Sequence, residues 1–306
     1  MNRADLKSWA KNALNRSYWK SVLVPLILGG ATSAISYIIS FSSSFGVNML
    51  SALGTLSMED ISEDDIVGMG ILMLSFIGVA MIFGLVGFLV QIFLINPLNV
   101  GCQRFFCVGL YQNKPELNEV GAGFKGNYKN TIKVLFFRDL FLSLWLWLVT
   151  IIGTVLGVAM IIGMVFVLEE AKLGEVAVVF VTIFVVLMVY VVIIACEIPY
   201  FIKCYEYMMI PYILADYPDM PRKQVFAMTK KMMKGEKWNA FVLNLSFIGW
   251  DLLSVCTCGI LSIFYVEPYK YYTKAAFYKM LQQKLERTMQ AEQVMMQQNM
   301  QQPNNY

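Results

Sequence analysis

Four apolar runs, Ser21–Phe45, Gly70–Ile95, Leu140–Leu168 and Glu175–Pro199, are each long enough to cross a hydrocarbon core, which takes roughly 20 residues of helix. No water reaches the backbone inside such a core, so each N–H and C=O must be satisfied within the segment, and a helix does this by itself. The chain has 306 residues, 58% of them hydrophobic and 15% charged. Soluble domains carry about 25% charged residues, so this chain is short of the polar surface needed to wrap four such segments. The runs predict an all-α, polytopic membrane helix bundle. A fifth stretch, Trp238–Val266, is also apolar but is divided by Gly249, Asp251 and Gly259, and reads as one span or as two shorter ones.

The basic residues ahead of Val22–Leu28, with the small residues Ala31–Ala34 after it, have the layout of a secretory signal. Apolar residues continue to Phe45, however, past the roughly 7–15 residues of a signal core, and predict a span instead.

Charge placement sets the topology. Of 24 Lys and Arg residues, only Lys172 lies in the segments Gly46–Met69 and Glu169–Gly174, and the first of these carries Glu59, Asp60, Glu63, Asp64 and Asp65. Lys and Arg in short loops stay cytoplasmic. The two segments are therefore expected to be outside loops, with the N-terminus, Gly101–Lys133 and Lys203–Lys237 inside. Lys270, Lys274, Lys279, Lys284 and Arg287 draw the C-terminal tail inside as well. A single fifth span would put them outside, so Trp238–Val266 and the limb after it are expected to cross and return, or to form a re-entrant pair. That gives about six membrane segments, near residues 21–45, 70–95, 140–168, 175–199, 238–255 and 258–278. Together they form one integral membrane domain, 20–281, between an interfacial helix, 1–19, and a Gln- and Met-rich cytoplasmic tail, 282–306.

A threefold pattern supports this count. Basic segments with an aromatic residue precede the odd-numbered spans: "NRSYWKSVLVPLIL" at 15, "KGNYKNTIKVLFF" at 125 and "KGEKWNAFVLNLSF" at 234. The return limbs "NPLNVGCQRFF", "IPYFIKCYEY" and "EPYKYYTKAAFY" each place a proline ahead of aromatic and basic residues. The pattern predicts three helical hairpins, each led into by an amphipathic cytoplasmic helix. In Asn2–Leu14, Leu6, Trp9, Ala10, Ala13 and Leu14 share one face, which suits a helix lying in the headgroup plane. A second such helix is expected to be capped by Asp219, opened by Pro221 and stopped by Gly235, with Val225, Met228 and Met232 on its apolar face. Lys7, Lys11, Lys20, Lys234 and Lys237 are the expected contacts to anionic lipid headgroups. Lipid accounts for the basic segments, and no nucleic-acid partner is expected. In the tail, a helix is expected to about Met296, with disorder beyond.

Ionisable and polar groups at membrane depth are the candidate site. Arg138, Glu197, Asn244 and Asp251 are the residues of interest, with Asp139 and Glu267 near them in sequence. On one continuous helix Asn244, Ile248, Asp251 and Val255 form a stripe, which should face protein. In a functional reading Asp251 and Glu197 line a polar cavity opposite Arg138, fit for a cation, a proton or a polar headgroup. In a structural reading Asp251 sits near a hairpin tip while Arg138, Glu197 and Glu267 snorkel to the interface. The chain contains no histidine and no HExxH, GxSxG, Walker or GxGxxG element, and the acidic loop lacks EF-hand spacing, so neither catalysis nor a cofactor or metal is expected. The six cysteines are expected to be mostly reduced, with Cys256 and Cys258 as small packing residues. Gly84, Gly87, Gly153, Gly157 and Gly163 are placed for close helix packing.

The segments "MMKGEKWNAFVLNLSFIGWDLLSV", "MMIPYILADYPDM", "EPYKYYTKAAFY" and "NPLNVGCQRFF" resemble the bacterial integral-membrane family catalogued as domain of unknown function 975, found mainly in Gram-positive bacteria. The resemblance covers most of Lys11–Leu281, and Leu140–Pro199 is expanded relative to it. It implies a multi-pass protein of the bacterial plasma membrane and carries over no catalytic residues. With both termini expected in the cytoplasm, the leading expectation is a non-enzymatic scaffold or regulator of an envelope process, acting through lipids or a membrane-protein partner. The alternative is a transporter or lipid-handling protein that uses the stripe around Asn244 and Asp251.

Overall fold

The structure is a computed structural model that describes residues 3–54, 63–171 and 174–301. In chain order its α-helices are α1 (Arg3–Arg16), α2 (Tyr18–Gly54), α3 (Glu63–Val90), α4 (Asn96–Gly109), α5 (Ala122–Lys125), α6 (Tyr128–Ala171) and α7 (Glu175–Tyr207). After these come α8 (Ile210–Asp216), α9 (Arg222–Met233), α10 (Lys237–Leu245), α11 (Ile248–Cys256) and α12 (Glu267–Gln301). Among the described residues there is no strand. Five helical stretches are long and apolar enough to cross a membrane: Tyr18–Ile38, Leu74–Gly109, Tyr128–Leu168, Val176–Asp216 and Lys237–Cys256.

Several expectations change. Much of Gly46–Met69 is helix rather than loop, because α2 runs on to Gly54 and α3 begins at Glu63. Glu59 and Asp60 in that loop, and Lys172 in the other, lie outside the described residues. The lead-in "KGNYKNTIKVLFF" is no separate helix, since from Tyr128 it is the first part of α6. The limb 258–278 is not among the five candidate spans. Its latter half, in α12, carries Glu267, Lys270 and Lys274, and it buries Tyr272, Ala275, Ala276, Phe277 and Tyr278 in protein. In the tail, α12 extends to Gln301, five residues past the expected end, and the residues after it lie outside those described.

Two return limbs share a backbone device. A π-helical turn, Gln91–Ile95, immediately precedes Asn96-Pro97, and another, Ser262–Val266, precedes Glu267-Pro268. Proline has no N–H and its ring crowds the carbonyl four residues back, so a locally widened helix relieves the clash. The carbonyl in question before Pro97 is that of Phe93, and it accepts a hydrogen bond from Tyr128 Oη at 2.7 Å. The middle return limb has Pro199 inside an uninterrupted α7.

The chain divides into two compact units. The first comprises Met1–Ile132, Pro211–Pro221 and Phe247–Gln283. Its core holds Leu14, Phe105, Phe106, Leu110, Ile213, Tyr272 and Tyr278, all essentially without solvent contact. Phe106 stacks on Tyr271 at 5.0 Å and meets Tyr272 edge-on at 4.9 Å, while the Tyr272 hydroxyl hydrogen-bonds with Ser17 at 2.9 Å and Ser21 at 3.0 Å. Helix α1 is part of this core. Leu6, Ala10, Ala13 and Leu14 are buried, and Trp9 Nε1 donates to the Leu110 carbonyl. The face expected to lie on lipid is thus covered by protein.

The second unit comprises Lys133–Ile210, Arg222–Ser246 and Lys284–Tyr306. Here α6 and α7 expose apolar side chains along most of their length, including Ile151, Val155, Phe166, Phe180, Phe184, Tyr190 and Ile194. None of the most apolar window of Val176–Asp216 is buried. Soluble proteins rarely expose apolar patches beyond a few hundred Å2, so this band is built for a non-aqueous surround. Of the small residues expected to pack helices, Gly157 lies against Val189 and Gly153 against Cys196 and Ile193, whereas among the described residues nothing comes within 4 Å of a Cβ at Gly84 or Gly163.

Candidate functional site

The four polar residues singled out in the sequence have separate surroundings. Arg138 donates from Nε to Asp139 Oδ1 at 2.8 Å. Asn244 donates to the Tyr205 hydroxyl at 3.2 Å. Asp251 accepts from Lys270 Nζ at 2.6 Å, and the same ammonium reaches Glu267 at 3.3 Å. Glu197 is half-buried on α7. Arg138, Glu197 and Asn244 belong to the second unit and Asp251 to the first. The expected stripe fails locally, because α10 ends at Leu245 and α11 starts at Ile248. The break at Ser246–Phe247 resets the helical phase. Ile248 and Val255 are exposed, and the buried polar residue of α11 is Ser254, which donates to the Trp250 carbonyl.

A denser cluster lies in the second unit at the end of α7. The Glu206 carboxylate faces three ammonium groups, from Lys237 at 2.6 Å, Lys203 at 3.4 Å and Lys230 at 4.0 Å. Its main-chain carbonyl accepts from Thr229 Oγ1, which fixes the buried Val225–Thr229–Met232 face of α9 against α7. Three lysines around one carboxylate leave an excess of two positive charges. Lys230 is the most open of them, at 54% exposed. Trp238 is largely exposed nearby in sequence, with its ring 5.2 Å from Phe241, while Phe241 in turn packs on Tyr205. A cationic cluster with an exposed indole at the end of an apolar helix is the chemistry of a headgroup boundary.

Of the five lysines expected to touch lipid, Lys11 and Lys234 are exposed. Lys237 is engaged by Glu206, Lys20 donates to the Pro115 carbonyl at 3.1 Å, and Lys7 lies 4.7 Å from the centre of the Phe247 ring. Lys203 and Lys230 are not among the contacts that the sequence predicts. They lie 27 residues apart in the chain, and only the return of α9 onto α7 brings both to Glu206.

The first unit holds a second site that residue types alone do not reveal. Its centre is Pro211–Pro221, where nearly each successive residue is tied. Ala215 O accepts from Arg104 Nη1 at 2.6 Å, Asp216 accepts from Tyr278 at 2.9 Å and Lys279 at 2.6 Å, and the Tyr217 hydroxyl accepts from Gln282 at 3.1 Å. The carbonyls of Pro218 and Met220 both accept from Asn130 Nδ2. Burial by itself would lower the Lys279 pKa, but the hydrogen bond and charge of Asp216 outweigh it and hold the ammonium above its ordinary value.

Against this segment lies a cleft of about 400 Å3, lined among others by Val100, Arg104, Glu116, Glu119, Lys125 and Leu214. Its walls are α4 and the bracket formed by the 3-10 turn Leu117–Gly121 and α5. Two glycines set their spacing. A Cβ at Gly101 would overlap the Val120 carbonyl, and one at Gly123 would overlap the Pro97 carbonyl. Backbone meets backbone at both points, so the wall positions are fixed by main chain rather than by adaptable side chains.

Parts of both sites fall in the segments on which the family resemblance rests: Val100, Arg104, Leu214 and Ala215 of the cleft, and Lys237 of the lysine cluster. No curated protein and no solved structure matches the chain. The model of a family of proteins of unknown function, DUF975, matches residues 1–285, and the chain belongs to that family.

Proposed function

We propose that this protein is a non-enzymatic, multi-pass protein of the bacterial plasma membrane that supports or regulates an envelope process through anionic lipids and a membrane-protein partner. The observation that carries the reading is the cluster of Lys203, Lys230 and Lys237 on Glu206, with two positive charges in excess beside the exposed Trp238. Basic groups near an anionic leaflet contribute about 1 kcal/mol each at low salt. Asn244 and Asp251 are each paired with a side chain on another helix, Tyr205 and Lys270, which suits a role in holding helices in register, whereas Arg138 is paired with its neighbour Asp139 on the same helix.

The test is crosslinking in the membrane, with identification of both lipids and proteins, for the wild type and for Lys203→Gln/Lys230→Gln. Lys237, the closest partner of Glu206, stays in place. The expected result is several-fold weaker capture of anionic lipid and of the partner at unchanged abundance. Unchanged capture would sink the reading. Asp251→Asn distinguishes the transporter alternative, which requires substrate movement to stop at normal abundance, from the scaffold, which predicts altered abundance or partner capture. Cysteine labelling of the tail is expected to report a cytoplasmic location, and labelling from outside would overturn the topology.

A further inference from the structure

The cleft of the first unit differs from the lysine cluster in charge. Its lining contains two cations, Arg104 and Lys125, and two carboxylates, Glu116 and Glu119, so the formal charges cancel. The cations are held in place by other groups. Arg104 uses Nε on Glu119 at 2.7 Å and one Nη1 hydrogen on Ala215 O, which leaves three of its five N–H donors. Lys125 uses one donor on Asn118 at 2.7 Å and keeps two. Glu116 is exposed at the start of the bracket. A volume of about 400 Å3 falls within the roughly 300–1,000 Å3 of small-molecule sites.

The cleft also lies close to exposed apolar surface. Phe88, Leu89, Phe93 and Leu94 are exposed on the limb that leads into α4, and Val100, in the cleft lining, comes six residues after Leu94, or about 9 Å along the helix. Leu117 and Phe124 are exposed on the bracket itself. The Tyr128 bond to the Phe93 carbonyl joins the start of α6, just after the bracket, to this exposed limb.

We infer that the cleft binds the headgroup of a zwitterionic phospholipid with a primary amine, its phosphate on the remaining donors of Arg104 and Lys125 and its ammonium on Glu116. The two carboxylates reject polyanions such as nucleotides, while a phosphate carrying its own cation matches a cleft of zero formal charge. The acyl chains lie along the exposed limb before α4. The inference rests on the membrane reading above but uses a different unit and different residues.

The experiment reconstitutes the full-length protein in nanodiscs holding equal amounts of phosphatidylethanolamine, phosphatidylglycerol and phosphatidylcholine with identical chains. Lipids retained on re-extraction are counted by native mass spectrometry. Wild type is expected to retain phosphatidylethanolamine over phosphatidylglycerol by about tenfold, a charge-assisted preference that Glu116→Gln removes, whereas Lys125→Gln, which acts on the phosphate common to all three lipids, lowers the retention of each several-fold and leaves the preference in place. Arg104 is left intact because it also ties Ala215 and Glu119. Lys230→Gln, in the other unit, is expected to leave this preference unchanged. Equal retention of the three lipids by wild type, an undiminished preference in Glu116→Gln, or undiminished retention in Lys125→Gln overturns the inference. Free phosphoethanolamine that displaces the lipid at equal concentration overturns the lipid source and assigns the cleft to a soluble phospho-amine. Protein that fails to enter nanodiscs at all breaks the membrane reading instead.

Discussion

The Pro211–Pro221 segment and the helices α6 and α7 are both apolar in sequence, but their environments differ. In the first, Ile213, Leu214 and Ala215 are buried, and the backbone and carboxylate oxygens around them are taken by Arg104, Asn130, Tyr278 and Lys279. In the second, the apolar side chains from Val176 to Ile198 are largely exposed, and the helices carry their own backbone bonds. A region of the first kind is held by contacts within the protein, and one of the second kind by the surrounding solvent. Hydropathy reports both as apolar. What separates them is whether polar partners are spaced so that a particular fold brings them together.

The comparison breaks first at the glycines. Gly101→Val puts a branched side chain into the Val120 carbonyl, where neither backbone can yield without opening the cleft. Overpacking typically costs about 1–3 kcal/mol and more where backbone is the obstacle, so the folded protein is expected to be lost from membranes in a blot with tagged wild type as reference. Gly163→Val, where among the described residues nothing comes within 4 Å of a Cβ, is expected to accumulate normally. Asp216→Ala comes next. It leaves the Tyr278 hydroxyl without its acceptor and the Lys279 ammonium without its counter-charge, with only Gln282 Oε1 still accepting from it, and a loss of about 2–4 kcal/mol is expected in thermal melts, with Asp216→Asn milder because it keeps an acceptor for Tyr278.

Some of this is legible in the sequence. The helical class, the long runs that form α2, α3, α6 and α7, and the stop at Gly235, where φ is +78°, come from period, length and backbone preference. The π-helical turns precede Pro97 and Pro268, whose rings crowd the carbonyl four residues back, but Pro25 and Pro199 sit inside continuous helices, so proline by itself does not mark where such a turn forms. The sites are less visible. Asn244 and Asp251 are two helical turns apart only if the helix is continuous, and the break at Ser246–Phe247 is unmarked by Gly or Pro. The Arg104–Ala215 bond joins residues 111 apart, and a backbone acceptor leaves no trace in residue type. The face of α1 reads as apolar, but nothing in its composition says whether lipid or protein covers it.

A smaller effect sharpens the comparison by pH. Lys279, in the first unit, is held above its ordinary value, so its contribution is fully present below about pH 10.4 and is lost as pH rises through the folded pKa. Glu236, in the second, behaves in the opposite sense. Burial would raise its pKa, but hydrogen bonds from Lys284 and Asn239 and the Lys284 charge leave it below the usual carboxylate value. Its contribution is present above about pH 4.5 and is lost as pH falls through the folded pKa. Alkali is thus expected to loosen the first unit and acid the second, read as protease nicking near each residue, and Lys279→Met and Lys284→Gln should each flatten only their own limb. Nicking with the same profile at both residues would mean that the two clamps do not report separate units.

The smallest effect is the most informative about α7. In a protein core Phe→Ala costs about 3–5 kcal/mol, through lost transfer energy and the cavity left behind. Phe184 is exposed on α7, and in the membrane reading proposed above lipid tails would fill the space left by its ring as well as they contacted it. Phe184→Ala is therefore expected to change the melting of the protein in bilayers by no more than about 0.5 kcal/mol, the usual range for a substitution that touches no protein. Thermal melts in nanodiscs measure this directly. A cost above about 2 kcal/mol would place α7 against protein rather than lipid, with a second copy of the chain or a partner covering the face, and the contrast with Pro211–Pro221 would become one between two kinds of protein contact.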